Sequence, residues 1–164
     1  MASWGDGDSW YLDPRRCGGG ALADNGPNAF DLLRMFIGEL SVTNAIIERN
    51  DHGVDTRASI DVTATGTGTR GSILLDWGYT GGELKDVTIE RDDGEELSCD
   101  MLKGFGLFKE SLYHEYEGVL TDFLDCVQRR DTSRAAGPDG IEVTRLVQDS
   151  YRLAKPVSRI NLAP

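Results

Sequence analysis

Residues 18–31 decide how this 164-residue chain folds, and they read Gly-Gly-Gly-Ala-Leu-Ala-Asp-Asn-Gly-Pro-Asn-Ala-Phe-Asp. Three consecutive glycines lead into a polar turn and then into an apolar helix. The sequence predicts that this helix begins at Pro27, because the missing N–H of proline costs nothing in a first turn, and that it ends at Gly38. Asp24 and Asn28 then lie at a helix N-terminus, where free backbone N–H groups and the positive dipole end favour anionic or oxygen-rich ligands.

The middle of the chain has the alternation and turn residues of an antiparallel sheet. One strand is especially clear because Ala58, Ile60, Val62 and Ala64 share one face. Short turns, including the hairpin turn Asp92-Asp93-Gly94, favour consecutive antiparallel strands over β-α-β units. The predicted strands are 42–49, 55–65, 70–77, 84–91 and 96–101.

Helices follow the strands. The spacing predicts a helix over residues 111–130, whose apolar stripe is Leu112, Tyr116, Val119, Leu120, Phe123 and Val127. A second helix is predicted over residues 139–154, opened by a capping box of Asp139 and Glu142, and residues 157–162 predict a last edge strand. The fold class is therefore α+β, a predominantly antiparallel open sheet with helices packed on one face. The other face must meet solvent, a second domain or another subunit.

Length and composition bound the possible functions. The chain is long enough for one domain, predicted to span residues 1–164 with residues 1–9 flexible. The formal net charge of −11 argues against nucleic acid or an anionic membrane as a partner. The sequence has neither an apolar run long enough to span a membrane nor a signal-peptide pattern, so a soluble cytoplasmic protein is expected. Three widely separated cysteines and two histidines predict neither disulfides nor a metal site.

One segment imitates a nucleotide-binding motif. Residues 66–71 read Gly-Thr-Gly-Thr-Arg-Gly, which fits the G-x-G-x-x-G dinucleotide pattern. That pattern works only where a strand leads into a helix, and here the following residues, Ser-Ile-Leu-Leu-Asp-Trp, form a strand. The segment therefore predicts a hairpin turn, and the chain contains no visible nucleotide-binding domain.

The order of motifs resembles the C-terminal, substrate-binding domain of the glucose–fructose oxidoreductase/inositol dehydrogenase/rhizopine-catabolism (Gfo/Idh/MocA) family. The resemblance covers roughly residues 10–162. The residues that carry it are Asp13-Pro14, Gly18-Gly19-Gly20, Asp24-x-Gly26-x-Asn28-x-x-Asp31, Leu32-Leu33-Arg34, Gly38, Tyr116, Asp122-Phe123, Asp139-Gly140 and Tyr151.

The resemblance implies that this domain shares an active site with a separate nucleotide-binding domain. In the family, a Rossmann domain binds NAD or NADP and supplies a catalytic lysine, while an Asp and a His of the C-terminal domain hold sugar or cyclitol hydroxyls and move a proton. Asp24 stands at the Asp position, but Asn28 stands at the His position. Asparagine forms hydrogen bonds but exchanges no proton near neutral pH. The resemblance thus makes Asp24 and Asn28 the catalytic candidates, with NAD or NADP entering only through a Rossmann partner.

Each candidate side chain also has a structural interpretation. Asp24 either orients a substrate hydroxyl or caps the helix that begins at Pro27. Asn28 either contacts substrate or satisfies local backbone groups, and Asp31 is interpreted as structural, pairing with backbone or an arginine. Secondary substrate-binding candidates are Arg15, Arg16, Trp77 and His114. The alternative for Arg15 and Arg16 is a solvated surface pair, and for Trp77 it is packing at a domain or subunit interface. For His114 the alternative is a half-exposed helix residue without a role in the site.

Two functions remain open from the sequence. The first is the substrate-binding and oligomerisation subunit of a split oxidoreductase, or a fragment of a longer enzyme, which is inactive alone and completed by a Rossmann protein. The second is a non-catalytic binding or assembly module that forms a homodimer through its sheet. The retained Asp24 favours the first function, whereas the loss of histidine at Asn28 favours the second.

Overall fold

The structure is a computed structural model that describes residues 10, 13–81, 84–90, 93–105, 108–132 and 137–156. Helices and strands alternate less regularly than in a β-α-β protein. In chain order they are α1 Pro14–Cys17, α2 Ala21–Ile37, β1 Leu40–Arg49, β2 Asp55–Ala64, β3 Arg70–Asp76, β4 Asp86–Glu90, β5 Glu96–Asp100, α3 Phe108–Arg129, α4 Gly137–Leu153 and β6 Lys155–Pro156.

The strands form two sheets rather than one. The larger sheet has the order β3-β2-β1-β6, in which β1, β2 and β3 are antiparallel neighbours and β6 runs parallel to β1. Among the residues that the structure describes, β4 and β5 pair with each other alone, as an antiparallel hairpin. The predicted antiparallel α+β fold is confirmed, but the expectation that all consecutive strands share one sheet is wrong. The connection from β3 to β4 is too long for a tight hairpin turn and contains Gly78 and Gly81, so β4 starts a new sheet.

A buried core lies between the larger sheet and helices α2 and α4. The predicted inner face of β2 is confirmed, since Ala58, Ile60, Val62 and Ala64 are at most 1% exposed. Against this face pack fully buried side chains of the two helices, among them Leu22, Phe30 and Leu146. Burial of this apolar surface is the main stabilising contribution to this part of the fold.

The chain divides into two compact units. The first unit is Met1–Gly78 with Gly137–Pro164, and it contains the core. The second unit is Tyr79–Ala136, and none of its described side chains is buried. The expectation of a single 164-residue domain stays a prediction, and residues 1–9 and 157–162 lie outside the described residues.

Helix α2 begins earlier than the sequence predicts. It starts at Ala21, directly after the glycines, so Asp24 lies in its first turn and Pro27 lies inside the helix. The predicted helix start at Pro27 is therefore wrong, and with it the alternative that Asp24 caps a helix beginning there. The physical reason is a contact from outside the segment, because the side chain of Asp55 on β2 binds the backbone N–H of Leu22. No local pattern shows such a contact.

Helix α4 also begins before its predicted start. Its first residue is Gly137, which places Asp139 in the first turn instead of at the N-cap. The predicted capping box is wrong because both carboxylates have arginine partners. Asp139 lies 3.2 Å from Arg34 on α2, and Glu142 pairs with Arg145 one turn further along α4.

Candidate functional site

A buried carboxylate fixes the junction between the glycines and α2. Asp55, at the first position of β2, is only 2% exposed. Its Oδ2 accepts a hydrogen bond of 2.8 Å from the backbone N–H of Leu22, and its Oδ1 accepts one of 2.9 Å from the Tyr151 hydroxyl. We call these three residues the Asp55 cap. The oxygen-rich group that the sequence predicts at this helix N-terminus is, in the structure, the carboxylate of the chain itself.

The glycines allow this close approach. A Cβ atom at Gly20 would collide with the backbone carbonyl of Asp55 and lie 2.8 Å from Cγ1 of Val54. A Cβ atom at Gly19 would lie 2.7 Å from that of Ala23 and would also collide with the Tyr151 hydroxyl. Because backbone atoms cannot rotate away as a side chain does, Gly20 is required for α2 to sit on the start of β2.

Tyr151 is held as a hydrogen-bond donor. Burial of the phenol, together with the negative charge and the hydrogen-bonding oxygen of Asp55, raises the pKa of Tyr151 far above its ordinary value. The hydroxyl therefore stays protonated at physiological pH and keeps one oxygen of Asp55 satisfied. The sequence marks Tyr151 only through the family resemblance, and nothing local marks Asp55, whose partner Leu22 is 33 residues away.

A second group of polar side chains lies on the exposed surface of α2. Asp24, Asn25 and Asn28 are exposed, and Asp24 and Asn28 are four residues apart, so they share one helix face. The indole N–H of Trp77, at the end of β3, donates a 2.8 Å hydrogen bond to Oδ1 of Asn25. The structure thus places Trp77 beside the turn that carries both catalytic candidates. We call Asp24, Asn25, Asn28 and Trp77 the α2 polar face.

Asn25 is the member of this face that sequence reasoning missed. It lies between two candidates in the sequence, but its hydrogen-bond partner is 52 residues away. Because Oδ1 of Asn25 accepts the hydrogen bond from Trp77, the orientation of the Asn25 carboxamide is fixed and its NH₂ group can donate to a ligand. Asparagine flanked by Asp24 and Gly26 reads as a turn residue, so its local sequence gives no signal of this role.

The structural interpretation of Asp31 is confirmed by its position next to an arginine. Asp31 lies 3.9 Å from Nη1 of Arg34, whose side chain is only 10% exposed. Arg34 also binds Glu39 at 2.7 Å and Asp139 at 3.2 Å, so it ties the end of α2 to the start of α4. Its hydrogen bond to Glu39 is the main cause that raises the pKa of Arg34. This cluster links α2, the residue before β1 and α4 at one end of the first unit.

The other candidates lie elsewhere on the chain. Arg15 and Arg16 are exposed on the short helix α1, where Arg15 lies 3.6 Å from Asp13. His114 is on α3 in the second unit, with its ring centroid 5.6 Å from that of Phe105. Substrate binding by Arg15, Arg16, Trp77 and His114 stays a prediction.

The glycine-rich imitation of a nucleotide motif is a hairpin, as predicted. Residues 65–69 connect the antiparallel neighbours β2 and β3, residues 70 and 71 already belong to β3, and the backbone N–H of Gly68 donates to the carbonyl of Ala64. Among the residues that the structure describes, no group of three or more His, Cys, Asp or Glu side chains could hold a metal ion. No helix in that part of the chain is long and apolar enough to cross a membrane.

The fold and its glycine junction define an α+β domain with an antiparallel sheet, helices on one face and an exposed polar helix face. The family model described as GFO/IDH/MocA C-terminal domain matches residues 1–95. The chain belongs to this family. No curated protein matches the chain.

Solved structures share the fold at low sequence identity. GenD2 from gentamicin A biosynthesis, in complex with NAD, has a TM-score of 0.77 at 19% identity, over 92% of this chain and 50% of its own. Levoglucosan dehydrogenase, in complex with NADH, has a TM-score of 0.63 at 15% identity, and the match covers 90% of this chain and 52% of that protein. An oxidoreductase from Thermotoga maritima has a TM-score of 0.61 at 18% identity, and the match covers 94% of this chain and 48% of that protein. The chain therefore spans about half the length of the structures it matches.

Proposed function

We propose that this chain is the substrate-binding half of an NAD- or NADP-dependent oxidoreductase that acts on a sugar or cyclitol-like polyol. A Rossmann half, on a separate subunit or elsewhere in a longer chain, completes the enzyme. The observation that carries the proposal is the α2 polar face, in which a hydrogen bond from Trp77 orients Asn25 beside Asp24 and Asn28. Clustered amide and carboxylate groups on a helix are suited to bind neutral polyols, because hydroxyls both donate and accept.

Each side chain of the face has its own part in binding. The Asp24 carboxylate accepts hydrogen bonds from substrate hydroxyls, while the NH₂ group of Asn25 donates to a hydroxyl oxygen. Asn28 can donate and accept but cannot remove the proton that leaves a hydroxyl during oxidation. In this proposal Asn28 positions substrate, and the proton leaves through Asp24 or through a group of the other half.

The nicotinamide nucleotide belongs to the other half. The two relatives solved with NAD and NADH are each about twice as long as their matched part. In this chain, residues 66–71 lie in the β2–β3 hairpin, and the α2 N-terminus is already occupied by the Asp55 carboxylate. Neither feature fits a pyrophosphate, which needs a strand-to-helix turn with free backbone N–H groups. The nucleotide supplies the hydride acceptor, and this chain supplies the groups that hold the polyol against it.

We also propose that the chain forms a homodimer through the open face of its larger sheet. Two rows of side chains cross that face at matched register. Ile46, Ser59 and Leu74 form one row, with Ile46 43% and Leu74 61% exposed. In the next row Arg57 pairs with Glu48 at 3.2 Å and with Asp76 at 3.5 Å. An apolar row beside a charge-paired row is self-complementary under two-fold symmetry.

The same proposal has a non-catalytic alternative, a binding module that dimerises through the sheet. The observation that favours it is Asn28, which replaces the proton-exchanging residue of the family pattern. The two functions differ in whether the α2 polar face contributes to turnover.

The test of function uses the tagged chain captured from its native host together with the protein bound to it. The eluate is assayed for reduction of NAD and NADP with a panel of sugars and cyclitols. We expect turnover that Asp24→Ala lowers by at least about 100-fold and Asn25→Ala by about tenfold, as for lost contacts to a transition state. Gln148→Ala, an exposed change on α4, is the matched control and retains wild-type turnover. If a nucleotide-binding protein is captured and the turnover of the complex is the same with wild type, Asp24→Ala and Asn25→Ala, the oxidoreductase proposal is contradicted.

The dimer is tested separately by sedimentation. We expect the wild type to sediment as a dimer and Leu74→Glu to sediment as a monomer, because the new charge would be buried in the apolar row. A Leu74→Glu protein that remains dimeric would exclude this face as the contact.

A further inference from the structure

The first six residues of α2 are helical against the preference of their own sequence. Gly26 and Pro27 lie inside the helix, and glycine and proline are the two least favourable residues there. Pro27 has no N–H to offer the carbonyl of Ala23, so one bond of the helix ladder is missing. The N-cap residue, Gly20, forms no side-chain bond to the first turn. Contacts from other elements must therefore hold this part of α2 in place.

The Asp55 cap supplies these contacts. The carboxylate takes the place of an N-cap side chain, because its Oδ2 accepts a hydrogen bond from the N–H of Leu22, the second residue of α2. The Tyr151 hydroxyl, 2.9 Å from Oδ1, orients the carboxylate from α4. Both oxygens of Asp55 thus have partners within the chain, and the residue is buried. Asp55 can therefore act on a ligand only through α2.

The α2 polar face spans the weak point of this helix. Asp24 and Asn25 precede Pro27, whereas Asn28 follows it. Asp24 and Asn28 share a face only while the helix is continuous through Pro27. The same continuity places Asn25 within hydrogen-bond reach of Trp77. Unwinding of the first six residues would leave the rest of α2 helical but would separate the side chains of the face.

We propose that Asp55 and Tyr151 are positioning residues of the polyol site. They keep the first six residues of α2 helical and so hold the α2 polar face together. The inference rests on the proposed function for the identity of the ligand, while the coupling of Asp55 to the start of α2 is a property of the chain alone. A face that is ordered for only a fraction of the time binds substrate more weakly by that fraction. Loss of the cap therefore raises KM, and kcat is retained because the helix is formed in the bound complex.

The test compares variants of the full chain that differ in the cap. Asp55→Ala removes the acceptor, and Tyr151→Phe removes the hydroxyl that orients it. Asp55→Asn is the conservative variant, because its carboxamide oxygen can accept from Leu22 and its NH₂ group can donate to the Tyr151 oxygen. Ser150→Ala is the matched control, since the Ser150 hydroxyl is also buried but bonds within α4, to the carbonyl of Leu146.

Amide exchange resolved by NMR measures the start of α2 directly. We expect the amides of Asp24 and Asn25 to exchange at least about tenfold faster in Asp55→Ala, which is the factor for one lost hydrogen bond to a charged group. Asp55→Asn and Ser150→Ala should stay within about threefold of wild type. Amides after Pro27 should exchange as in wild type held in urea at the same global stability. That comparison separates unwinding of the first turns from destabilisation of the whole unit.

The tryptophan signals report the α2 polar face itself. The chain has three tryptophans, so the indole N–H of Trp77 is assignable with a Trp77→Phe variant. Its signal should shift in Asp55→Ala, because the hydrogen bond to Asn25 is lost when the first turns unwind. Tyr151→Phe should shift it in the same direction by less, whereas Asp55→Asn and Ser150→Ala should leave it near the wild-type position.

The captured enzyme of the proposed function gives the kinetic readout. Asp55→Ala should raise KM for the polyol by at least about fivefold, with kcat within about twofold of wild type. Asp55→Asn should restore KM, and Ser150→Ala should change neither constant. If Asp55→Ala does not fold, Tyr151→Phe, which retains the carboxylate, carries the comparison with an expected rise of about threefold.

Three results would overturn the inference, and they separate it from the proposed function. Equal acceleration of exchange before and after Pro27, with the Trp77 signal unshifted, would limit the cap to global stability and leave the oxidoreductase proposal standing. Selective unwinding with an unchanged KM would overturn the positioning role, and the loss of turnover expected for Asp24→Ala would then show that the oxidoreductase proposal stands on its own. An absence of polyol-dependent turnover from the captured wild type would overturn the proposed function, and the role of the cap in polyol binding with it.

Discussion

Helices α4 and α3 have the same kind of apolar periodicity but different surroundings in the two units. On α4, in the first unit, Leu146 is fully buried against the sheet. On α3, in the second unit, Leu120 is 60% exposed. The periodicity of each helix identifies the face that needs a neighbour, but it does not tell which molecule provides that neighbour. The first unit supplies that neighbour from its own sheet, whereas among the described residues the second unit buries none of its side chains.

The largest expected effect is at the glycine junction of the first unit. Gly20→Ala should destabilise the chain by on the order of 4 kcal/mol or prevent folding, because its Cβ would collide with the Asp55 carbonyl. Gly66→Ala is the matched control, since a Cβ there meets no atom within 4 Å. Urea denaturation measures both variants. A Gly20→Ala protein as stable as Gly66→Ala would show that α2 does not need its close approach to β2.

A pair of leucine truncations tests the comparison between the units directly. Leu146→Ala should cost about 3 kcal/mol, because it leaves a cavity in the core of the first unit. Leu120→Ala should cost less than about 1 kcal/mol in the isolated chain, because the side chain is mostly solvated and alanine favours the helix. Equal losses for the two variants would mean that Leu120 is buried within the chain, and the distinction between the units would fail.

The Asp55 cap predicts how stability changes at alkaline pH. The pKa of Tyr151 is raised in the folded state, so folding stability is fully present below the ordinary value of 10.0. Above that pH the unfolded chain loses its proton first, and stability falls as pH rises toward the folded pKa. Tyr151→Phe should lower stability by about 1 kcal/mol at neutral pH and remove this alkaline decline.

The alkaline profile is measured by thermal unfolding between pH 8 and pH 11, a range of roughly one to two units around the tyrosine value. Tyr113→Phe, at a side chain that is 78% exposed, serves as the control and should keep the wild-type profile. If Tyr151→Phe declines as steeply as wild type, the Tyr151 hydroxyl is not held by Asp55.

The smallest expected effect is at acidic pH and involves α4. A hydrogen bond from Arg145 lowers the pKa of Glu142 below its ordinary value of 4.5. The associated stability is present above that value and is lost as pH falls through the lower folded pKa. Glu142→Gln should reduce the loss of unfolding free energy at acidic pH by less than about 1 kcal/mol, because the ion pair with Arg145 is partly solvated. Glu96→Gln, at an exposed position on β5, is the control. If the two variants lose the same stability at acidic pH, the Glu142–Arg145 pair contributes nothing.

The sequence predicted those parts of the fold that depend on local patterns. The inner face of β2 and the antiparallel pairing of β1, β2 and β3 follow from alternation and short turns, and the structure confirms them. The start of α2 could not be predicted, because it depends on Asp55, 33 residues beyond its partner Leu22. The second sheet was missed because the sequence marks strands but not their partners.

The candidate site was predictable in the same partial way. Asp24 and Asn28 stand out through the family pattern and the helix spacing, and the structure places both on the exposed face of α2. Asn25 was missed because its significance comes from Trp77, a partner from the far end of β3. Side chains whose roles depend on contacts between distant segments leave no signal in a local reading.

Hydrogen exchange by mass spectrometry on the chain alone tests the central comparison most directly. We predict strong protection of peptides from β2 and α2, together with rapid exchange along α3, because the buried side chains among the described residues all lie in the first unit. Protection of α3 equal to that of α2 in the chain alone would contradict the account, because the second unit would then be as stable as the first.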